Sequence, residues 1–205
     1  QIAWILGDAG VRLAMVETVA HAEATEAVRD RLPELGEILV IDDGAIERLT
    51  AAGRLVPQEE VDRRSALAGM DDLATIIYTS GTTGNPKGAE LTHGNFVSLT
   101  MEGTAGLPEV VAQPHSRTLL FMPLAHVFAR FIQVLCVPSG AVLGHTPDTR
   151  NLLADLGTFR PSFILSVPRV FEKVYNSAEQ KASASPVKLR LFRWAAATSI
   201  AWSQA

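Results

Sequence analysis

The chain has 205 residues, 47% of them hydrophobic and 20% charged, which is enough apolar material for a globular core. A net charge of −4 gives no support for nucleic-acid binding, because such proteins favour basic surfaces. The single cysteine, Cys136, excludes a disulfide framework within one chain. Its apolar neighbours predict a core residue in a reducing, cytoplasmic setting. No apolar run reaches the roughly 18 residues that would predict a membrane-spanning helix.

Short apolar segments bounded by turn residues predict strands along the chain. They lie at residues 11–17, 38–41, 73–77, 89–91, 117–122, 141–143 and 162–166. Helical patterning predicts helices at residues 2–6, 22–32, 45–51, 96–104, 125–137, 148–159, 169–180 and 187–202, and a further helix that begins at Pro57. Asn95 is predicted to cap the helix at residues 96–104. Because strands and helices alternate, we predict an α/β fold with a largely parallel sheet flanked by helices.

Residues 78–88 interrupt this pattern with the sequence Tyr-Thr-Ser-Gly-Thr-Thr-Gly-Asn-Pro-Lys-Gly. They lie between two predicted strands and therefore form the predicted loop of a hairpin. Glycine lets the backbone approach a ligand, and successive N–H groups form an anion-binding concavity. Hydroxyls donate to phosphate oxygens, and a lysine adds a compact positive charge. The loop is therefore predicted to bind the phosphates of ATP through Thr79, Ser80, Gly81, Thr82, Thr83, Gly84 and Lys87.

The loop differs from the Walker phosphate loop, which requires Gly directly before Lys and Ser or Thr directly after it. Here Pro86 precedes Lys87 and Gly88 follows it. Proline lacks an N–H and fixes φ, so we expect the loop not to lead into a helix N-terminus. The alternative interpretation is a solvated surface turn with an exposed lysine, which clusters of Gly, Ser and Thr commonly form.

The loop sequence resembles the phosphate-loop signature of the AMP-forming acyl-adenylating enzymes, which include acyl-CoA synthetases, luciferases and the adenylation domains of peptide synthetases. Residues 72–78 and 91–95, which flank the loop, extend the resemblance. Residues 123–130, Pro-Leu-Ala-His-Val-Phe-Ala-Arg, resemble a second core motif of the family, and residues 161–175 resemble a stretch of long-chain fatty acid–CoA ligases. Together these segments favour a long-chain acyl-CoA synthetase.

The resemblance implies that residues 1–205 are part of the large N-terminal domain, which binds ATP and the acyl group, and that the mobile C-terminal domain is absent from them. Family motifs that carry a magnesium-binding glutamate, a ribose-binding aspartate and a lysine of the mobile domain do not occur before Ala205. We therefore expect the sequence to be a segment of a larger enzyme, and we expect these residues alone to be inactive.

The resemblance also implies an activity and the residues that carry it. The enzyme would activate a fatty acid with ATP as acyl-AMP and transfer the acyl group to coenzyme A. Lys87 and His126 are the expected catalytic residues: Lys87 would stabilise the departing pyrophosphate, and His126 would lie near the carboxylate and the α-phosphate. Magnesium would accompany ATP, with its ligands expected mainly outside these residues, and no metal ligand is predicted within them.

Several alternatives stay open at this point. The parent could be a fatty acyl–AMP ligase that passes its product to a carrier protein, or a non-catalytic ATP-binding module. A lone histidine among apolar residues, such as His126, is more often a satisfied core residue than a catalytic one. The sequence does not decide the acyl chain length, peripheral membrane contact or homo-oligomer formation.

Overall fold

The computed structural model describes residues 1–80 and 84–204. The chain divides into two compact units, and each is described by itself. The first unit comprises Gln1–Ala105 and Leu124–Val134, and the second comprises Gly106–Pro123 and Leu135–Ala205.

The first unit contains four of the predicted strands and most of the short helices. Its helices are α1 (Ile2–Asp8), α2 (Val19–Glu26), α3 (Ala45–Gly53), α4 (Gln58–Ser65) and α5 (His93–Gly106). Its strands are β1 (Leu13–Val16), β2 (Glu37–Val40), β3 (Leu73–Thr79) and β4 (Lys87–Thr92). The predicted helix at residues 22–32 is wrong in its bounds, because α2 ends earlier and a 3-10 turn precedes Pro33.

Strands β1 and β2 run parallel, with α2 in the connection between them. Thr18 begins α2, because its side chain accepts a hydrogen bond from the His21 N–H that has no partner inside the helix. A core cluster of Ala14, Leu32 and Leu35 forms beside this pair, and Leu6 of α1 packs against it. The cluster therefore joins α1 to the parallel strands.

The start of α5 corrects the predicted role of Asn95. The Thr92 hydroxyl accepts a hydrogen bond from the Asn95 N–H at 3.2 Å, and the Asn95 side-chain oxygen accepts one from the Thr92 N–H at 2.9 Å. Thr92 is thus the capping residue, and Asn95 returns the bond from three positions later, in the manner of a capping box. The prediction was wrong because the sequence offers two capping residues close together.

The second unit contains a parallel pair of strands, of which β5 is buried. Its elements are α6 (Pro108–Val111), β5 (Arg117–Leu120), α7 (Val127–Ser139), β6 (Val142–His145), α8 (Leu152–Phe159), α9 (Pro168–Ala182) and α10 (Pro186–Ser203). Helix α7 contributes residues to both units. Strands β5 and β6 pair in parallel, and Thr118, Leu119 and Leu120 of β5 are buried. Cys136 of α7 is buried as predicted, and burial raises the pKa of its thiol.

The strand predicted at residues 162–166 does not form. Ser162 contacts the first residue of β5: its N–H donates to the Arg117 carbonyl at 2.9 Å, and its hydroxyl accepts from the Arg117 N–H at 2.9 Å. The described residues continue as irregular extended chain from there to the start of α9. Pro161 lacks an N–H, and the serine side chain takes the place of a ladder partner, so the pairing does not propagate.

The predicted α/β class is confirmed. Among the described residues the strands form three two-stranded sheets, of which two are parallel and the β3–β4 sheet is antiparallel. Within the described ranges no helix has the length and apolar character needed to cross a membrane.

Candidate active site

The antiparallel pair β3–β4 places the predicted phosphate loop at its tip. Tyr78 lies opposite Gly88, and Thr79 lies opposite Lys87, so the structure brings Thr79 and Lys87 together at the base of the loop. Both are exposed, as a phosphate site requires. Because the loop runs from strand to strand, the prediction that it does not lead into a helix N-terminus is confirmed. Phosphate binding would depend on hydroxyls, backbone N–H groups and the lysine, without a helix dipole.

Among the described loop residues, Ser80, Gly84 and Asn85 are exposed and Pro86 is half-buried, which fits a ligand-binding role. Ser80 follows β3. Gly84 adopts a φ of 141°, a backbone conformation that residues other than glycine rarely adopt. The predicted binding residues Gly81, Thr82 and Thr83 lie outside the described residues. The structure therefore provides the two bases of the loop, with a hydroxyl donor on one side and a lysine on the other.

Two side chains of α1 contact the bases of the loop. The Tyr78 hydroxyl donates to a carboxylate oxygen of Asp8 at 2.5 Å, and the Trp4 indole N–H donates to the Pro86 carbonyl at 2.9 Å. The hydrogen bond to Asp8, followed by desolvation and the charges of Asp8 and Glu90, raises the pKa of Tyr78 to about 12. Sequence reasoning missed these contacts. Only the four-residue spacing of Trp4 and Asp8 could have indicated that they share a helix face.

Gly88 leaves room for the Tyr78 ring to pack against the opposite strand. A side-chain carbon on Gly88 would lie 2.8 Å from the Ile76 side chain and 3.0 Å from the Tyr78 ring. No ordinary contact is that short, so the ring lies across the bare glycine backbone of the opposite strand. The glycine at the end of the predicted motif therefore has a packing reason in addition to any ligand contact.

His126 lies directly before α7, where its carbonyl accepts a hydrogen bond from the Arg130 N–H at 3.2 Å. Its side chain is exposed, so the interpretation as a satisfied core histidine is wrong. Arg130 is half-buried one turn later, and its Nε has no hydrogen-bond partner among the described residues. No hydrogen bond within the described part of the chain joins His126 to the hairpin, and its catalytic role stays a prediction.

The described residues do not bring metal-binding side chains together. Among residues 1–80 and 84–204, no group of three or more His, Cys, Asp or Glu side chains could hold a metal ion. The expectation that the magnesium ligands lie mainly outside these residues stays a prediction.

The sequence of residues 1–204 matches the AMP-binding enzyme family, and the chain belongs to this family. The long-chain-fatty-acid–CoA ligase FadD15 of Mycobacterium tuberculosis is 42% identical over 208 residues, which cover 100% of this chain and 34% of that protein. Mouse long-chain-fatty-acid–CoA ligase 6 is 36% identical over 172 residues, which cover 82% of this chain and 23% of that protein. The chain thus spans about a third or less of the length of these relatives.

Solved structures share the fold. The inhibitor-bound N-terminal domain of FACL13 from Mycobacterium tuberculosis has a TM-score of 0.64 and 24% identity, covering 83% of this chain and 41% of that one. ATP-bound MatB from Rhodopseudomonas palustris has a TM-score of 0.61 and 21% identity, covering 85% of this chain and 33% of that one. At these identities the similarity shows the fold alone.

Proposed function

We propose that the chain is a segment of an AMP-forming long-chain fatty acid–CoA ligase. The observation that carries this proposal is the 42% identity to FadD15 over the whole chain. The hairpin, which places the exposed Thr79 and Lys87 opposite each other, supports it independently. Because the chain spans about a third of that relative, the activity is proposed for the full-length protein that contains it.

The proposed reaction has two steps. A fatty acid carboxylate oxygen attacks the α-phosphorus of ATP, the bond to the bridging oxygen breaks, and pyrophosphate leaves. The thiolate of coenzyme A then attacks the acyl carbon, and AMP leaves with the electron pair of the broken C–O bond. Magnesium is proposed to accompany ATP, with ligands mainly outside these residues, and it would there neutralise charge on the phosphates. Cytoplasmic localisation is proposed with this activity.

The residues of the hairpin loop would act in the first step. Thr79, Ser80 and the backbone N–H groups of the loop would donate to the β- and γ-phosphates, together with Thr82 and Thr83. Lys87 would place its ammonium group beside the departing pyrophosphate, where negative charge increases as the bond breaks. Donors that are in place before the reaction need no reorganisation during it, which is why their positions matter for the rate.

His126 would act at the other end of the reacting group. Its exposed imidazole stands at the beginning of α7 and is free to turn toward a ligand. There it would donate a hydrogen bond to a carboxylate or α-phosphate oxygen. This hydrogen bond would stabilise the negative charge on that oxygen, and His126 would form no covalent bond with the substrate.

Product analysis of the full-length protein tests the proposal. With ATP, a long-chain fatty acid and coenzyme A, we expect stoichiometric pyrophosphate, AMP and acyl-CoA. Without coenzyme A, acyl-AMP should form and stay bound. Acyl transfer to a carrier protein but not to coenzyme A would replace the ligase assignment with a fatty acyl–AMP ligase. ATP binding without fatty-acid-dependent pyrophosphate would indicate a non-catalytic module.

A matched measurement concerns the 205 residues by themselves. We expect no pyrophosphate release from ATP and a fatty acid above a no-protein control, because the family motifs expected to bind magnesium and ribose do not occur in them. Release above that control would show that these residues contain a complete active site.

A further inference from the structure

We propose that Trp4 and Asp8 of α1 are positioning residues for the ATP-binding loop, which they hold at both of its bases. The inference rests on the proposed function, because it assigns a role in ATP binding to residues outside the loop. Neither residue belongs to the motif that predicts the site, and they lie 82 and 70 residues before their partners.

The entry side of the loop is held through Tyr78, which comes directly before Thr79. The Tyr78 ring lies across Gly88 of the opposite strand, and its hydroxyl reaches the Asp8 carboxylate at 2.5 Å. This contact fixes the strand pair at the register position just below Thr79 and Lys87. An acidic residue at the C-terminal end of a helix is unfavourable for the helix dipole, and the tyrosine hydroxyl offsets part of that cost.

The exit side is held through Pro86. Its carbonyl accepts the Trp4 indole N–H at 2.9 Å and belongs to the peptide unit whose nitrogen is that of Lys87. Proline already fixes its own φ, so rotation about ψ is the main remaining freedom of this peptide, and the hydrogen bond restrains that rotation. The proline ring and the hydrogen bond from Trp4 together set the direction in which the chain enters β4. They therefore also set the position from which the Lys87 side chain extends.

Helix α1 can act as a support because it is itself attached to the core of the first unit. Ala3 is buried, and Leu6 packs against the cluster that includes Leu32. Trp4 and Asp8 lie one turn apart and reach the hairpin from the same short helix. The parallel strands thus support α1, and α1 supports the loop.

The consequence is pre-organisation of the phosphate donors. Positioning residues restrict the loop to conformations in which its ligand-binding groups already have the correct geometry. Loss of one such hydrogen bond should raise the KM for ATP by roughly two- to tenfold, the range expected for a single net hydrogen bond. The KM for the fatty acid should not change, because the side-chain hydrogen bonds of Trp4 and Asp8 in the described part of the chain go to the hairpin.

The test uses Trp4→Phe and Asp8→Ala in the full-length protein. Trp4→Phe keeps an aromatic ring and removes the N–H donor, and Asp8→Ala removes the acceptor. Matched controls are Trp202→Phe and Asp30→Ala, which change exposed residues outside the hairpin. We expect a raised KM for ATP in the two α1 variants, with the fatty acid KM equal to that of the controls and a cooperative thermal unfolding transition retained.

A double-mutant cycle separates positioning from a general structural effect. In a Tyr78→Phe background the hydroxyl is absent, so Asp8→Ala should add no further increase in the KM for ATP. Asp8→Asn keeps an acceptor oxygen and should retain most of the ATP affinity. An undiminished effect of Asp8→Ala in the Tyr78→Phe background would overturn the inference, and so would unchanged ATP kinetics in both α1 variants.

Two further measurements distinguish failure of the inference from failure of the proposed function. Lys87→Ala must raise the KM for ATP if the loop is the phosphate site. If it does and the α1 variants do not, only the positioning role is overturned. Hydrogen exchange of the peptide at residues 84–88 should be faster in Trp4→Phe, without any ligand. If Lys87→Ala has no effect, the proposed ATP site fails, and unchanged exchange would additionally show that α1 does not hold the hairpin.

Discussion

The hairpin β3–β4 and the parallel pair β5–β6 use a similar packing device for different purposes. In each, a strand glycine leaves room for an aromatic ring: Tyr78 lies over Gly88, and Phe159 lies over Gly144. The half-buried Phe159 ring packs against the core cluster of Leu119, Phe121 and Leu152, with the Arg117 guanidinium 4.4 Å from its centre. The Tyr78 ring instead carries a hydroxyl that reaches Asp8 of another element. The same local device therefore builds a core in one pair and holds a loop in the other.

The two strand pairs also differ in burial. Three consecutive residues of β5 have side chains with at most 4% exposure, whereas in β3–β4 only Ile77 is buried. Apolar burial is the main source of stability, so β5–β6 should contribute to folding far more than the hairpin does. The hairpin can then carry polar residues and glycines at little cost in stability. The comparison separates a region that maintains the fold from one that is proposed to bind ATP.

The largest expected effect is on stability, from a substitution in the buried strand β5. Leu119→Ala removes a core side chain packed with Phe121 and Leu152 and should lower the free energy of unfolding by about 2–5 kcal/mol. Urea denaturation of the full-length protein measures this, with Leu55→Ala as the control because Leu55 is 85% exposed. Equal stability of the two variants would contradict the assignment of β5 as core.

A second prediction concerns the glycine in β6. A side-chain carbon on Gly144 would lie 2.7 Å from the Phe159 ring, so Gly144→Ala should destabilise the protein by about 1–3 kcal/mol through overpacking. The same substitution at Gly157 in α8 meets nothing within 4 Å and should instead stabilise the helix by about 0.5–1 kcal/mol. Thermal unfolding of both variants provides the test, and a gain in stability from Gly144→Ala would show that the ring has room to move.

A third prediction concerns His126. His126→Ala should slow acyl-AMP formation by about tenfold or more, because a hydrogen bond to a charged oxygen is lost in the transition state. The melting temperature should stay unchanged, since the side chain is exposed. Single-turnover pyrophosphate release measures the rate, with His145→Ala as the control. A large drop in melting temperature with normal turnover per folded molecule would identify His126 as a structural residue.

The smallest effect is on the ionisation of Tyr78. Its pKa is raised to about 12 from 10.0, so the fold favours the neutral phenol. The stabilisation is fully present below pH 10.0 and is lost as the pH rises through about 12, so it persists at neutral pH. Asp8→Ala should lower this pKa toward its ordinary value. An ultraviolet difference titration of the variant against the wild type would show it, and identical titrations would contradict the Tyr78–Asp8 contact.

The sequence predicted much of the fold because local signals agree with the tertiary structure. The apolar run at residues 73–77, the turn residues after it and the short return strand predicted the hairpin, which the structure confirms. Pro168 and Pro186 indicated the starts of α9 and α10, since proline at a first helical position loses no helix hydrogen bond.

Contacts that depend on distant parts of the chain were not predictable in this way. The segment at residues 162–166 has the apolar character of a strand, but pairing depends on the edge of β5 and on the Ser162 side chain. The support of the loop by Trp4 and Asp8 joins residues at least 70 positions apart, and no local period encodes such a contact. At the candidate site, the motif predicts which residues bind ATP. The structure adds the contacts of Trp4 and Asp8 with the hairpin that carries them.

The most direct test of the account is ATP binding by the full-length protein, measured by calorimetry for the wild type, Lys87→Ala and the control Lys181→Ala. Lys181 is an exposed lysine in the last turn of α9. We expect Lys87→Ala to weaken ATP binding by about ten- to hundredfold, the effect of losing a hydrogen bond to a charged group. Lys181→Ala should bind as the wild type does. Equal ATP affinity in all three proteins would contradict the assignment of the hairpin loop as the phosphate site.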